Sequence, residues 1–325
     1  MAVAAIPEGL PAVVTIALAL GAQRILKRRA LIRKLPAVET LGSVTVICSD
    51  KSGTLTENRM TVTVVDIANH EINLSEDLRQ PTPALPLDDT RLAQLRREPA
   101  LMLMAIGGAL CNDAVLEIKN ESTPRFQIVG DPTEGALLFV AAKLGIRKNE
   151  LEKNFPRVAE APFDSERKRM TTVHASGRRE VSGPGPEQNS TLELACSTLS
   201  SLGASHYAFT KGAVDSLLEI SSSCWVDDHV EPLNEKWRKR IIADNERLAR
   251  NGMRVLGLAF RALTASPING KIEERDLIFV GMAGMIDPAR PEVKAAVATC
   301  KRAGIRPVMI TGDHPKTAAV IAEEL

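Results

Sequence analysis

Seven consecutive residues, Asp50-Lys51-Ser52-Gly53-Thr54-Leu55-Thr56, combine the groups that phosphoryl transfer needs. Asp50 offers a carboxylate nucleophile, and Lys51 beside it favours the ionised form. The Ser52–Thr54 turn supplies backbone N–H groups of the kind that receive phosphoryl oxygens. The chemistry implied is attack of Asp50 on phosphorus to give an aspartyl-phosphate. The plain alternative is an Asp opening a surface turn. Against it stands the preceding run, Val44-Thr45-Val46-Ile47-Cys48, which reads as a buried strand: short, apolar, β-branched and closed by turn formers. A carboxylate at the C-terminal mouth of such a strand faces the crevice where open α/β sheets take ligands.

A second segment repeats this design. Arg306-Pro307-Val308-Met309-Ile310 is a candidate strand, Thr311-Gly312-Asp313 stands at its mouth, and a helix is expected to begin near Pro315. The Thr311 hydroxyl and nearby amides could hold a phosphoryl group at that helix N-terminus. Upstream, Ile286-Asp287-Pro288-Ala289-Arg290-Pro291-Glu292-Val293 reads as a capped helix start, with Asp287 as N-cap, Pro288 next, and Val293, Ala296 and Val297 on one face.

The segments between these two sites are less sharply marked. Thr61 and Thr63 alternating with Val62 and Val64 predict a strand leaving the first site. Residues 75–90, with Pro81, Pro83 and Pro86, predict a loop. Leu92–Cys111 has helical spacing, which Gly107-Gly108 ends or interrupts. Residues 175–205, rich in Ser and Gly with Pro184 and Pro186, predict a flexible surface excursion. There is no internal repeat. There is also no G-x-x-x-x-G-K-[ST] loop, so a nucleotide donor would have to be held by other means.

Ala2–Ala22 carries a single charge, Glu8, in an apolar run long enough to cross a membrane. Arg24, Lys27, Arg28, Arg29, Arg33 and Lys34 follow it, which places the C-terminal end of the span on the cytoplasmic side. A secretory leader would carry its basic residues ahead of the apolar run. A buried soluble helix is the alternative. Within the span, Pro7-Glu8-Gly9-Leu10-Pro11 removes backbone donors and frees carbonyls beside a carboxylate, a combination suited to a hard cation.

Composition narrows the field. The 325 residues carry 41 basic and 40 acidic side chains, net +1, a balance that gives no global field to attract nucleic acid. With 44% hydrophobic and 25% charged residues the chain can bury a sizeable core, and two or more folded units are expected. The five cysteines have no C-x-x-C or metal-ligand spacing and are expected to be reduced thiols.

Taken together, the heptad and these segments resemble the P-type cation-transporting ATPases, whose phosphorylation motif is usually D-K-T-G-T-L-T. Val3 to Pro11 is similar to the fourth transmembrane helix of type II pumps, closest to calcium pumps. The resemblance implies an α/β fold: a dehalogenase-like (Rossmann-like) phosphorylation domain split by an α+β nucleotide-binding insert and preceded by a transmembrane helix. It implies Asp50 as the phosphorylated residue, with Lys51, Ser52, Thr311 and Asp313 in the catalytic set. It implies Mg2+ held by Asp50 and the Ser52 carbonyl, and a transported cation, Ca2+ by preference, held by Glu8 and the carbonyls of Val3, Ala4 and Ile6. The absence of a Cys-Pro motif argues against copper or zinc.

The same resemblance assigns ATP contacts. Gly130-Asp131-Pro132-Thr133-Glu134 implies Glu134 at adenine, although D-P-T-E is equally a helix N-cap sequence. Pro162-Phe163-Asp164-Ser165-Glu166-Arg167-Lys168 implies Phe163 stacking on adenine and Lys168 near the nucleotide. Ser165 stands where a sarcoplasmic-type pump has arginine, and Arg167 is the candidate substitute. Phe209-Thr210-Lys211-Gly212-Ala213 implies Lys211 lining the pocket and Gly212 allowing close approach, with Val214 where proline is usual. Gly252-Met253-Arg254 implies Arg254 at the phosphates, and Thr311, Gly312 and Asp313 complete the set. Solvated charge runs and strand entries are the plain alternatives for these segments.

The expected organisation is a transmembrane helix (1–23), a basic stalk (24–43), a phosphorylation domain in two parts (44–60 and 285–325) and a nucleotide-binding domain (61–284). The bulk of the chain is expected in the cytoplasm, with ATP, membrane lipid and an inorganic cation as partners and no nucleic acid. The actuator domain, the remaining transmembrane helices and the downstream Mg2+ aspartates of such pumps have no counterpart here, so this fragment is not expected to pump alone. Readings from other classes are a soluble dehalogenase-like phosphatase and a non-catalytic ATP-binding fragment. The apolar span and the nucleotide-segment matches count against the first.

Overall fold

The computed structural model describes residues 9–28, 30–67, 70–74, 89–119, 125–177, 190–266, 272–313 and 315–325. Val3, Ala4, Ile6 and Glu8 lie outside this set, as do residues 75–88 of the loop expected over 75–90 and residues 178–189 of the excursion expected over 175–205. Residues 89 and 90 are helical instead. The chain is mixed α/β and divides into two compact units. One comprises the described residues up to Leu55 with Arg290–Thr311 and Leu325; the other comprises Thr56–Ala289 with Gly312–Glu324.

In the first unit, α1 (Leu10–Lys27) has Pro11 in its opening turn, where a missing N–H costs nothing, and Arg24 and Lys27 in its last turn, where they suit the negative end of the helix. Its mean hydropathy is 1.4 and none of it is buried, so by length and composition it could cross a membrane. A short α2 (Pro36–Gly42) leads into β1 (Val46–Asp50), which starts later than expected and takes in Asp50 as its last residue. β1 pairs in parallel with β13 (Arg306–Ile310), in register from Val46↔Arg306 to Asp50↔Ile310.

The expectation of a buried strand fails here. Val46 is 44% and Ile310 55% exposed. Parallel strands are normally covered on both faces by crossover helices. Among the described residues this sheet has two strands, with α10 (Pro291–Arg302) packed on β13. α10 opens at Pro291 with Arg290 in the N-cap position, so Asp287 is not its cap.

Among the described residues the second unit is built on a nine-stranded sheet. Its path runs β10 (His229–Pro232), β9 (Ser221–Val226), β12 (Leu277–Ile286), β11 (Arg254–Leu263), β8 (His206–Gly212), β7 (Arg169–Ala175) and β6 (Arg157–Asp164). β2 (Thr61–Ile67) pairs with the second half of β12, beyond the segment paired with β9, and β3 (His70–Asn73) pairs with β2. β4 (Val115–Lys119) and β5 (Arg125–Val129) form a separate antiparallel pair, and α6 spans Lys148–Asn154. β2 is longer than predicted and buried at every position, so its Thr/Val alternation does not separate solvent from core.

Helices cover both sheet faces. On one, α4 (Pro99–Leu110) is apolar all round and almost wholly buried, as a core helix should be. It packs with α5 (Pro132–Lys143) against Phe209, Leu258, Phe260 and Met285. On the other, α8 (Val214–Ile220) and α9 (Glu235–Arg250) bury Leu217, Trp237, Ile241 and Leu248 on Ala259, Phe279 and Met282.

Two further expectations need correction. The single helix over 92–111 is two helices, α3 (Asp89–Leu95) and α4, because Pro99 cannot continue the first and instead opens the second. The Gly pair interrupts nothing: Gly107 is where α4 touches the sheet, and a Cβ there would sit 2.6 Å from Leu258 and 2.8 Å from Phe209. The surface excursion over 175–205 contains α7 (Ser190–Ser200), whose Leu199 is fully buried and whose carbonyl accepts the Tyr207 hydroxyl at 2.5 Å.

Candidate functional site

Of the residues proposed for phosphoryl transfer, Asp50 and Thr311 lie at the C-terminal ends of β1 and β13 in the first unit. Asp50 is exposed at the end of β1, and Thr311 follows Ile310, the register partner of Asp50. After Asp50 the chain makes a tight loop in which Lys51 is buried, Ser52 is extended (φ −74°, ψ 126°) and Gly53 is left-handed at φ +73°. Only glycine adopts that last conformation without penalty. Arg290 fastens the loop: its Nη2 donates to the Gly53 carbonyl at 3.1 Å and its backbone N–H to the Leu55 carbonyl at 2.9 Å. No motif marked Arg290 as a loop partner, since the contact spans 237 positions in sequence.

Asp287 has a different role from the cap assigned to it. Its carboxylate accepts the Thr56 hydroxyl at 2.5 Å and the Arg59 backbone N–H at 3.2 Å. The Glu57 N–H donates to the Pro288 carbonyl at 3.0 Å, and Thr56 bridges Ala289 antiparallel. The two chain crossings at Thr56 and Ala289 are therefore tied together by the side chain of Asp287.

Within the second unit, most of the proposed nucleotide residues converge at one end of β7, β8 and β11. The registers Arg169↔Gly212 and Gly257↔Gly212 bring these strands side by side. Lys211 Nζ donates to Glu134 Oε1 at 2.6 Å, and Glu134 Oε2 accepts the backbone N–H of Asp113 and of Ala114, each at 2.9 Å. Asp131 caps α5 by accepting from Thr133 and Glu134 N–H, so D-P-T-E is a true N-cap. Burial works to raise the Asp131 pKa, but these hydrogen bonds outweigh it and hold the carboxyl below its ordinary value. Arg254, at the start of β11, donates to the Thr133 hydroxyl at 2.9 Å, beside Glu134.

Phe163 and Lys168 flank the β6–β7 turn. Phe163 is 65% exposed, an unusual position for a phenylalanine. Lys168 has φ +53°, a strained value for a residue with a Cβ, costing about 1–2 kcal/mol. Its N–H donates to the Asp164 carbonyl at 2.7 Å, and its carbonyl accepts the Ala213 N–H at 3.0 Å. Gly212 makes that approach possible: a Cβ there would lie 2.5 Å from the Lys168 carbonyl oxygen and 2.8 Å from the Arg169 Cα. Lys168 Nζ itself lies 3.6 Å from Asp215.

Arg167, the candidate substitute for the absent arginine, is engaged within the protein. Its guanidinium is bound to both oxygens of Glu274 at 2.8 Å and to the Pro162 carbonyl at 2.7 Å. Gly312 and Asp313 group with the second unit and lead into α11 (Pro315–Glu324). A separate cleft lined by Asn58, Arg59, Met60 and Phe139, among others, contains none of the candidate residues.

Comparison with known proteins fits this arrangement. A family profile described as P-type ATPase, cytoplasmic domain N, matches residues 101–292. Calcium-transporting ATPase 1 of Bacillus cereus (strain ATCC 10987 / NRS 248) is 41% identical over 330 residues, covering 100% of this chain and 31% of that protein. Calcium-transporting ATPase of Bacillus subtilis (strain 168) is 39% identical, covering 100% and 33%. Cation-transporting ATPase pma1 of Synechocystis sp. (strain ATCC 27184 / PCC 6803 / Kazusa) is 41% identical, with the same coverage of 100% and 33%. The chain thus spans about a third of the length of the curated relatives it matches. With the domain profile covering more than half of its residues, the chain belongs to the P-type ATPase family.

Proposed function

We propose that this chain carries the phosphorylation loop, the nucleotide-binding domain and one membrane helix of an ATP-driven cation pump. Calcium is the favoured cargo, supported by the names of the Bacillus relatives and by Pro7-Glu8-Gly9-Leu10-Pro11. In this reading residues 1–23 form a transmembrane helix and 24–43 a stalk. Residues 44–60 and 285–325 form a Rossmann-like, dehalogenase-type domain, and 61–284 are its nucleotide-binding insert. Lipid surrounds the helix and the rest of the chain lies in the cytoplasm. Glu8 and the carbonyls of Val3, Ala4 and Ile6 contribute to the cation path.

The observation that carries the proposal is the in-register parallel pair ending at Asp50 and Ile310, which puts a carboxylate and the Thr311 segment at the same sheet edge. A carboxylate oxygen of Asp50 attacks the γ-phosphorus of ATP. The new bond is an acyl phosphate, the bond to the β,γ-bridging oxygen breaks, and ADP leaves with that electron pair. Asp50 and the Ser52 carbonyl are hard oxygen donors of the type that Mg2+ takes together with water and phosphate, so the residues present fit that ion. When bound, Mg2+ would neutralise charge on the transferring group. Glu134, Phe163, Lys168, Lys211, Gly212 and Arg254 hold the nucleotide. Lys211 brings positive charge into a part-buried pocket, and Phe163 offers an exposed aromatic face for a base.

The test is incubation with γ-labelled ATP and Mg2+. An acid-stable, hydroxylamine-sensitive label that disappears in Asp50→Asn supports the proposal; nucleotide binding without label in the intact parent overturns it.

A further inference from the structure

Glu274 lies in the segment 272–275, outside any helix or strand, yet its side chain is only 10% exposed. Both its oxygens accept from Arg167 Nη1 at 2.8 Å, Oε2 accepts from Arg169 Nε at 3.0 Å, and Oε1 accepts from the Thr171 hydroxyl at 2.6 Å. Because the Thr171 proton goes to Glu274, the 2.9 Å contact between Thr171 and Thr210 hydroxyls has Thr210 as donor, which extends the network to β8. Arg169 Nη1 also donates to the Ser216 hydroxyl at 2.9 Å, and that hydroxyl donates to the Arg167 carbonyl at 2.7 Å. Burial opposes the Glu274 charge, but the bonds from Thr171, Arg167 and Arg169 prevail and hold its carboxyl below the ordinary value.

The placement of these partners matters more than their number. Arg167 and Arg169 bracket Lys168, the strained residue whose carbonyl is clamped to Ala213. Arg167 also grips the Pro162 carbonyl, next to Phe163. One carboxylate therefore fixes both sides of the β6–β7 turn. Glu274 belongs to no recognised motif, and its distance in sequence from Arg167 is 107.

We infer that Glu274 is a positioning residue for the nucleotide: it sets the turn carrying Phe163 and Lys168 against Gly212, so that the ring and the ammonium group are presented together. This rests on the nucleotide-site reading above. The closest substitution is Glu274→Gln, which keeps the size, removes the charge and turns an amide donor toward two guanidinium groups.

The experiment is ATP titration by calorimetry on the full chain in detergent, with circular dichroism to verify folding. Glu274→Gln is expected to weaken ATP about tenfold, the equivalent of losing a charge-assisted hydrogen bond. That penalty is expected to vanish in a background carrying Phe163→Ala and Lys168→Ala, since the turn then has nothing left to position. An unchanged affinity, or an equal penalty in both backgrounds, overturns the inference. If the wild-type chain binds no ATP, the nucleotide reading falls and this inference with it. Should Glu274→Gln not fold, Arg167→Gln leaves Arg169 and Thr171 on the carboxylate and is expected to weaken ATP about threefold. Absence of that effect overturns the inference equally.

Discussion

Lys211 Nζ stands 2.6 Å from Glu134 Oε1, an ion pair that joins the end of β8 to the first turn of α5 with both side chains largely buried, 7% and 16% exposed. A buried pair of this kind is weak evidence for stability alone, because desolvation offsets much of the attraction. It is stronger evidence for a cationic group being held ready. Glu134 keeps two backbone N–H donors whatever happens to Lys211, so the carboxylate is never stranded.

Lys211→Ala should therefore fold but bind ATP at least about tenfold more weakly. Titration with a fluorescent nucleotide measures this, and unchanged affinity removes Lys211 from the pocket. Lys211→Met should cost only about 1 kcal/mol of stability, since Glu134 keeps its two N–H donors. Glu134→Gln should cost about 3 kcal/mol because it leaves the Lys211 charge buried without its counter-ion, with the double variant losing less than the sum. Urea denaturation of the four proteins checks the coupling.

Gly212→Ala addresses the same pocket through the backbone. The added methyl meets the Lys168 carbonyl oxygen and Arg169 main chain, which cannot rotate away. A loss of about 1–3 kcal/mol is expected, with weaker nucleotide binding as the β6–β7 turn is pushed off β8. A thermal melt unchanged from wild type would show that this contact is looser than described.

The two sites differ in how far sequence alone defines them. Asp50 was legible because its strand, carboxylate and turn are contiguous, and the second strand could be matched to it by design. The grouping of Lys211, Glu134 and Arg254 could be expected only through resemblance, since K-G-A or D-P-T-E alone says little. Glu274, Arg290 and the true role of Asp287 were not legible. Each acts on a partner more than a hundred positions away, and no local pattern records such a contact. The break at Pro99 and the helix at Ser190–Ser200 were missed for another reason: a helical apolar period ran across the first, and Ser/Gly composition masked the second.

Asp66 predicts a stability change with pH. It lies on β2 facing Arg247 at 3.3 Å, and Arg247 also pairs with Glu71 and Asp244. Burial, then the Asp244 charge, raises its pKa to about 7, with Arg247 opposing. A raised carboxyl pKa means the folded state binds the proton more tightly, so this contribution is full at low pH and fades as pH rises toward 7. Asp66→Asn keeps an acceptor for Arg247 and removes the buried charge. Its melting temperature should exceed wild type at pH 8, with the gap narrowing as the pH falls below 7 and closing only near pH 4, where the unfolded carboxyl also takes up its proton. A variant less stable at pH 8 would show that Arg247 stabilises the ionised form more than burial penalises it.

The phosphorylation loop allows a comparison of adjacent substitutions. Ser52 is in an extended conformation that β-branched residues favour, and its side chain is exposed, so Ser52→Thr should shift stability by less than about 0.5 kcal/mol. Gly53, one residue on, is left-handed, and Gly53→Ala should cost about 1–2 kcal/mol locally. That strain can be relieved only by moving the Gly53 carbonyl, which is where Arg290 holds the loop. Gly53→Ala and Arg290→Gln should therefore both slow labelling of Asp50 by γ-labelled ATP in the intact parent, and their effects should not add, because each releases the same carbonyl. Additive effects would show that Arg290 acts on the phosphoryl group directly and not through the loop.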